Sequence, residues 1–272
     1  MSYIPLIARV DSLPPLPESV LKIEQLFAQG DPDIDKIVKI IETDPSLTAD
    51  ILSKVNAPLY GFRKSIISIL QAVTLFGSTQ IRSIVLSSSL QRGFDVDLTP
   101  YDISTSEFAK ISVMQSELIF HWYMSIDIDV ARAITPIAFL METGKILIAK
   151  DIIQDKKTEE FLNDLLKYRD IAYVENIHTM MSTAQINTLI FKHLGLHDSF
   201  WECMQYIDNE KEIPTDLKDM VIALQIVRTA INIQSQLTQE SIANAVKLLE
   251  ENSYSVTTFQ RAIKRVKMRH LE

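Results

Sequence analysis

Glycine is scarce in this chain, six residues in 272, while isoleucine and leucine recur in closely spaced pairs. Sheet proteins draw on glycine for hairpin turns and alternate apolar with polar residues. Spacings of three and four instead line apolar side chains along one helix face. The expectation is an all-α fold. Punctuation between the apolar runs supports it. Asp33 reads as the N-cap of a helix carrying Ile34, Ile37, Val38, Ile40 and Ile41. Asp44-Pro45 starts another with Leu47, Ile51, Leu52 and Val55, because proline is tolerated in a first turn that needs no N–H partner.

The same reading continues along the chain. Ser65 or Ser68 caps a helix through Phe76, Gly77 ends it, and Ser78 caps Ile81–Leu90. Residues 93–101 are the expected linker, followed by helices near 106–125, 130–150, 158–169, 183–194 and 198–208. Helices near 215–235, 238–251 and 256–269 complete the reading, and the stretch around Glu175-Asn176 is taken as poor in helix. The expected domains are 1–95, a first helical lobe; 96–235, a second; and 236–272, a C-terminal extension.

Composition narrows the function classes. A chain 47% hydrophobic and 23% charged is globular rather than disordered. Its net charge of −8 disfavours a nucleic-acid platform. Cys203 is the single cysteine, so no intramolecular disulfide forms, and its apolar surroundings suit an inert buried thiol. No run reaches the ~18 apolar residues of a membrane span, and the first residues lack a signal-peptide pattern. A cytoplasmic protein without membrane contact is expected.

Several pieces fall at fixed spacing over the first lobe: Leu13-Pro14-Pro15-Leu16-Pro17, Asp44-Pro45-Ser46-Leu47, Asn56, Tyr60-Gly61, Ala72-Val73, Leu75-Phe76-Gly77 and Ile81-Arg82. In order and spacing they resemble the HDOD domain, a bacterial relative of the HD metal phosphohydrolases, and a weaker likeness extends over about residues 10–235. The resemblance implies a multi-helix orthogonal bundle of HD-like type with two helical lobes. It also locates the hydrolase core segment, which reads roughly Leu-Leu-His-Asp-Ile-Gly-Lys-Leu. Here the chain reads Phe139-Leu140-Met141-Glu142-Thr143-Gly144-Lys145-Ile146. Met141 holds the histidine slot and Glu142 the aspartate slot. A thioether is a soft ligand, ill suited to the hard cations of phosphoester hydrolysis. Three further positions where the family carries ligands hold Ile111, Thr183 and Ile207.

The histidines do not rebuild a site. His193 and His197 flank Gly195, which ends a helix, while Asp198 reads as the next N-cap. His121 reads as a packing residue and His178 as solvent-facing. Glu142 and Lys145 are spaced for an ion pair. No catalytic residue, metal or cofactor is assigned.

A C-terminal helix carries Arg261, Lys264, Arg265, Lys267 and Arg269 opposite Phe259, Ala262, Ile263 and Val266. This is a candidate basic patch, read first as a solvated face. The expected function is a non-enzymatic bacterial signalling module that binds a protein partner, or a small ligand, in a groove beside Met141. A divergent nucleotide phosphohydrolase and nucleic-acid binding through residues 257–269 are the alternatives.

Overall fold

Capping side chains mark most helix starts, and they explain where the chain turns. The computed structural model describes residues 4–30, 32–62, 64–91, 96–208 and 213–271. Among these the fold is all-α, with turns and one isolated antiparallel bridge between Ile231 and Gln236. Two compact units divide the chain: Met1–Leu13 with Asp95–Val266, and Pro14–Phe94 with Lys267–Glu272.

This division departs from the sequence boundaries at both ends. A first helix, α1 (Ile4–Asp11), went unread because eight residues carry little periodicity. Leu6 and Val10 are buried, and α1 packs with the helices of the larger unit. Residues 236–266 likewise belong to that unit's core and are not a separate extension. The expected linker at 93–101 is corrected in its second half: Thr99–Tyr101 form a single 3-10 turn with Tyr101 buried, while residues 92–95 lie outside the described set.

The smaller unit comprises α2 (Glu18–Ala28), α3 (Ile34–Glu42), α4 (Pro45–Val55), α5 (Ile69–Phe76) and α6 (Ser78–Gln91). Asp33 accepts from Asp35 N, Asp44 from Leu47 N at 2.9 Å, and Ser68 from Gln71 N, so each cap satisfies a donor that the first turn leaves open. Val20, Ile23, Ile37, Ile41, Leu47, Ile51, Val73 and Val85 form its core. Each fully buried side chain contributes about 1.5–3 kcal/mol. Asn56 clamps the following loop by bonding both Ile66 O and Ile66 N at 2.8 Å. The amphipathic reading fails at α6, where residues 79–90 are buried on every side, hydroxyls included.

In the larger unit follow α7 (Thr105–Tyr123), α8 (Ile128–Leu140), α9 (Gly144–Gln154), α10 (Thr158–Tyr168) and α11 (Ile171–Thr179). Then come α12 (Thr183–His193), α13 (Asp198–Ile207), α14 (Lys218–Ala230), α15 (Gln239–Glu251) and α16 (Val256–His270), whose residues from Lys267 onward belong to the smaller unit. Reciprocal capping boxes start α7 (Ser104 with Glu107) and α12 (Ser182 with Gln185). α7 packs along α8, α12 against α9 and α13, and α14 against α15. Trp122 lies edge-on to Phe259 at 4.9 Å, which ties α16 into the same core. Two readings are corrected here. Residues 130–150 are two helices broken at 141–143, and the stretch at Glu175 is helical, capped by Asp170.

Candidate functional site

The break between α8 and α9 places charge inside the larger unit. Asn187, on α12, holds the turn: its Nδ2 donates to Met141 O at 2.7 Å and its Oδ1 accepts from Gly144 N at 2.8 Å. Gly144 is required by close approach. A Cβ there would lie 2.7 Å from the carbonyl of Thr183 and 3.2 Å from Asn187 Oδ1. The turn thereby aims Glu142 and Lys145 inward, each 1% exposed.

Lys145 Nζ is the centre of the site. It lies 2.8 Å from Glu142 Oε2, 3.0 Å from Glu175 Oε1 and 3.0 Å from Thr183 Oγ1. The expected Glu142–Lys145 pair is thus formed, across a helix junction rather than along one helix. Glu175 comes from α11 and is saturated with donors: Thr183 N at 2.6 Å, Thr183 Oγ1 at 2.7 Å and Tyr101 OH at 2.9 Å. Gln115 Nε2 donates to Glu142 Oε1 at 3.0 Å and to Ile231 O at 2.9 Å. Arg228, on α14, reaches Glu142 Oε1 at 4.0 Å and pairs with Asp208, which also accepts from Ser182 Oγ at 2.7 Å.

These neighbours set the charges. Burial works to raise the Glu142 pKa, but the Lys145 ammonium and the Arg228 guanidinium outweigh it and hold the carboxyl below its ordinary value. Burial likewise opposes a charged Lys145, and Glu142 with Glu175 outweighs it, so the ammonium persists above its usual range. Burial and the adjacent Glu175 keep the Tyr101 phenol protonated and able to donate. Asp208 is penalised by burial, yet Arg228 draws its pKa down.

The five positions read from the family pattern divide sharply. Glu142 and Thr183 meet at Lys145. Met141, Ile111 and Ile207 are buried at 1%, 2% and 5% and contribute apolar packing. The groove expected beside Met141 is therefore corrected: a side chain this buried offers no surface. Polar neighbours sit close in sequence to the apolar ones. Gln115 is one helical turn beyond Ile111, and Asp208 follows Ile207. Glu175, Arg228, Tyr101 and Asn187 were missed. The signal available was a lone arginine ending the apolar run Val221-Ile222-Ala223-Leu224-Gln225-Ile226-Val227-Arg228.

His178 is the other correction. It is 5% exposed, not solvent-facing, with Nε2 2.8 Å from Asp164 Oδ2, so it ties α11 to α10. With Glu160 these two bring three metal-capable atoms within 4.8 Å. His193 and His197 are exposed, with Gly195 in the left-handed region between them. His197 rather than Asp198 is the N-cap, accepting from Ser199 N. Arg261, Lys264, Arg265 and Arg269 are exposed and Lys267 half-buried, above a buried Phe259, Ala262, Ile263 and Val266.

A cleft of about 1350 Å³ opens in the larger unit, and Tyr101, Ser182, Asp208 and Arg228 line it. The buried network therefore reaches solvent at this wall, where the Arg228 and Asp208 side chains are 17% and 18% exposed. Among the described residues, no single helix is long and apolar enough to cross a membrane.

Comparison with known proteins agrees with this architecture. A virulence factor from Campylobacter jejuni is similar in structure over 99% of this chain and 97% of its own, at 25% identity and a TM-score of 0.61. An HDOD domain protein of unknown function from Geobacter sulfurreducens covers 96% and 94% at 16% identity, TM-score 0.57. A provisionally named signal transduction protein from Marinobacter aquaeolei gives the highest TM-score of the three, 0.70, at 17% identity; the likeness spans 96% of this chain and 58% of that one. In sequence, 79 residues are 30% identical to an uncharacterized protein of Treponema pallidum, a match covering 29% of this chain and only 15% of that protein. Residues 13–210 match the HDOD domain, and the chain belongs to the HDOD domain family.

Proposed function

We propose that this protein is a non-catalytic regulatory module in which Met141 stands in the histidine slot of the HD core segment and the lysine of that segment, Lys145, engages the carboxylate at the aspartate slot. One observation carries the reading: Lys145 Nζ lies within 3.0 Å of two buried carboxylates and a hydroxyl. The ammonium offsets part of the charge of those carboxylates and joins α9 to α11 and α12, which is a structural task. It supplies no Lewis acid and no activated water. The surrounding donors do not fit a hard divalent cation either. Met141 offers a soft thioether where the family places a histidine, and Lys145 Nζ at 2.8 Å already holds the Glu142 carboxylate that such an ion would need. With chemistry set aside, the cleft beside Arg228 and Asp208 is the surface through which the module acts on a protein partner.

The test is elemental analysis of protein purified without chelator, alongside a nucleotide phosphohydrolase assay with added Mn, Fe or Mg. The expected result is no bound metal at the Lys145 position and no metal-stimulated turnover. Stoichiometric metal lost in Glu142→Gln, or turnover abolished by that substitution, would refute the reading and restore the hydrolase alternative.

A further inference from the structure

The cleft has a chemical bias. Four carboxylates line it (Asp102, Asp170, Asp208 and Glu240) against two guanidinium groups, Arg169 and Arg228, a net charge of −2. Three of its amides lean the same way. Gln225 Nε2 donates to Ile207 O at 3.0 Å, Gln234 Nε2 to Leu165 O at 3.2 Å and Asn176 Nδ2 to Ala172 O at 2.8 Å. Among the described residues no donor reaches the amide oxygen of any of the three. Gln185 and Asn232 are turned the other way, their oxygens accepting from Ser182 N and Gln234 N, so the bias toward acceptors rests on the excess of carboxylates, and an occupant that brings donors is favoured. Beside them stand Leu166, 70% exposed, and Tyr173, 48% exposed, an amphipathic surface of the kind that anchors an apolar neighbour of a charged residue.

We infer that the cleft docks an extended segment of a partner protein through its arginine or lysine side chains. This rests on the regulatory reading above and names the chemistry of the partner. Size selects a polypeptide over a free amine, since about 1350 Å³ exceeds the ~300–1,000 Å³ of small-molecule sites. Charge selects against the nucleotide substrates of the hydrolases, whose phosphates would face the excess of carboxylates. An arginine flanked by an apolar residue satisfies both surfaces together: its fork of donors meets amide oxygens and carboxylates, and its neighbour covers Leu166 and Tyr173.

The experiment selects a random dodecapeptide library in parallel on the full chain and on the variant Glu240→Lys/Asn244→Lys. Both positions are exposed on α15, so circular dichroism and Tm of the variant should match the parent. Peptides enriched on the parent should carry net positive charge with an adjacent apolar residue, and lose at least ~10-fold in affinity on the variant, as like-charge juxtaposition demands. Enrichment of acidic or uncharged peptides, equal binding to both baits, or no enrichment on the parent would overturn the inference. None of those outcomes touches the metal and turnover measurements, so a failed cleft and a failed regulatory reading are told apart.

Discussion

Replacing Lys145 by methionine tests the buried network at its centre. The substitution keeps an unbranched side chain, one heavy atom shorter, and removes the charge. Glu142 is left with Gln115 and the guanidinium at 4.0 Å, and Glu175 with Tyr101 and Thr183. Removing one partner of a buried ion pair costs about 3–5 kcal/mol, because the remaining charge stays desolvated. For a chain of this size that is a fall in Tm of about 6–20 °C at neutral pH. The pH dependence is the sharper readout. In the parent, Glu142 has a lowered pKa, so its contribution is present above the unfolded pKa and lost as pH falls through the folded one. The raised Lys145 contributes below its unfolded pKa and is lost as pH rises through the folded value. In Lys145→Met Glu142 loses its nearer counter-charge while burial still works to raise its pKa, so protonation becomes a route to relief. The gap to the parent should therefore narrow steadily from pH 8.5 to pH 5.5 in thermal unfolding followed by circular dichroism. Glu142→Gln in the same background should recover part of the loss at pH 8.5. A variant with parental Tm, or a gap independent of pH, would refute the claim that this ammonium balances the buried carboxylates.

Gly144→Ala should lower stability by ~1–3 kcal/mol through overpacking, because its Cβ would meet the Thr183 carbonyl at 2.7 Å; an unchanged urea midpoint would contradict the tight approach of α9 and α12. His178→Ala and Asp164→Asn should each cost about 1–3 kcal/mol and combine to less than their sum, since they remove the same 2.8 Å contact; strict additivity in a double-mutant cycle would break that link. The Cys203 thiol, fully buried and pushed up to about 12 chiefly by that burial, should ignore a disulfide reagent at pH 8 until urea unfolds the chain.

Local signals were legible wherever the physics was local. Asp33, Asp44 and Ser68 cap the helices read from them because a cap concerns only the next two or three amides. The apolar positions of α16 are buried as spaced, for the same reason. The site was legible only in part. Glu142 and Lys145 stand three apart and their pairing followed from spacing. The second carboxylate, Glu175, is 30 residues away and Arg228 further still, and no periodicity relates them. His178 was misplaced because its partner, Asp164, lies on the preceding helix.

By itself the sequence determined most of the helices, the caps at Asp33, Asp44 and Ser68, the family, and the mismatch between Met141-Glu142 and a histidine–aspartate pair, but not α1, α11 or the break at 141–143. Those properties follow from neighbours within a few residues, or from motif order along the chain. Only the tertiary structure decided what stands at the centre of that mismatch. Packing α9 against α11 and α12 brings Glu175 and Thr183 onto Lys145, and burial makes each of those contacts count. In water the same lysine would be one solvated cation among 27 basic residues; desolvated between two carboxylates, its charge is felt far more strongly.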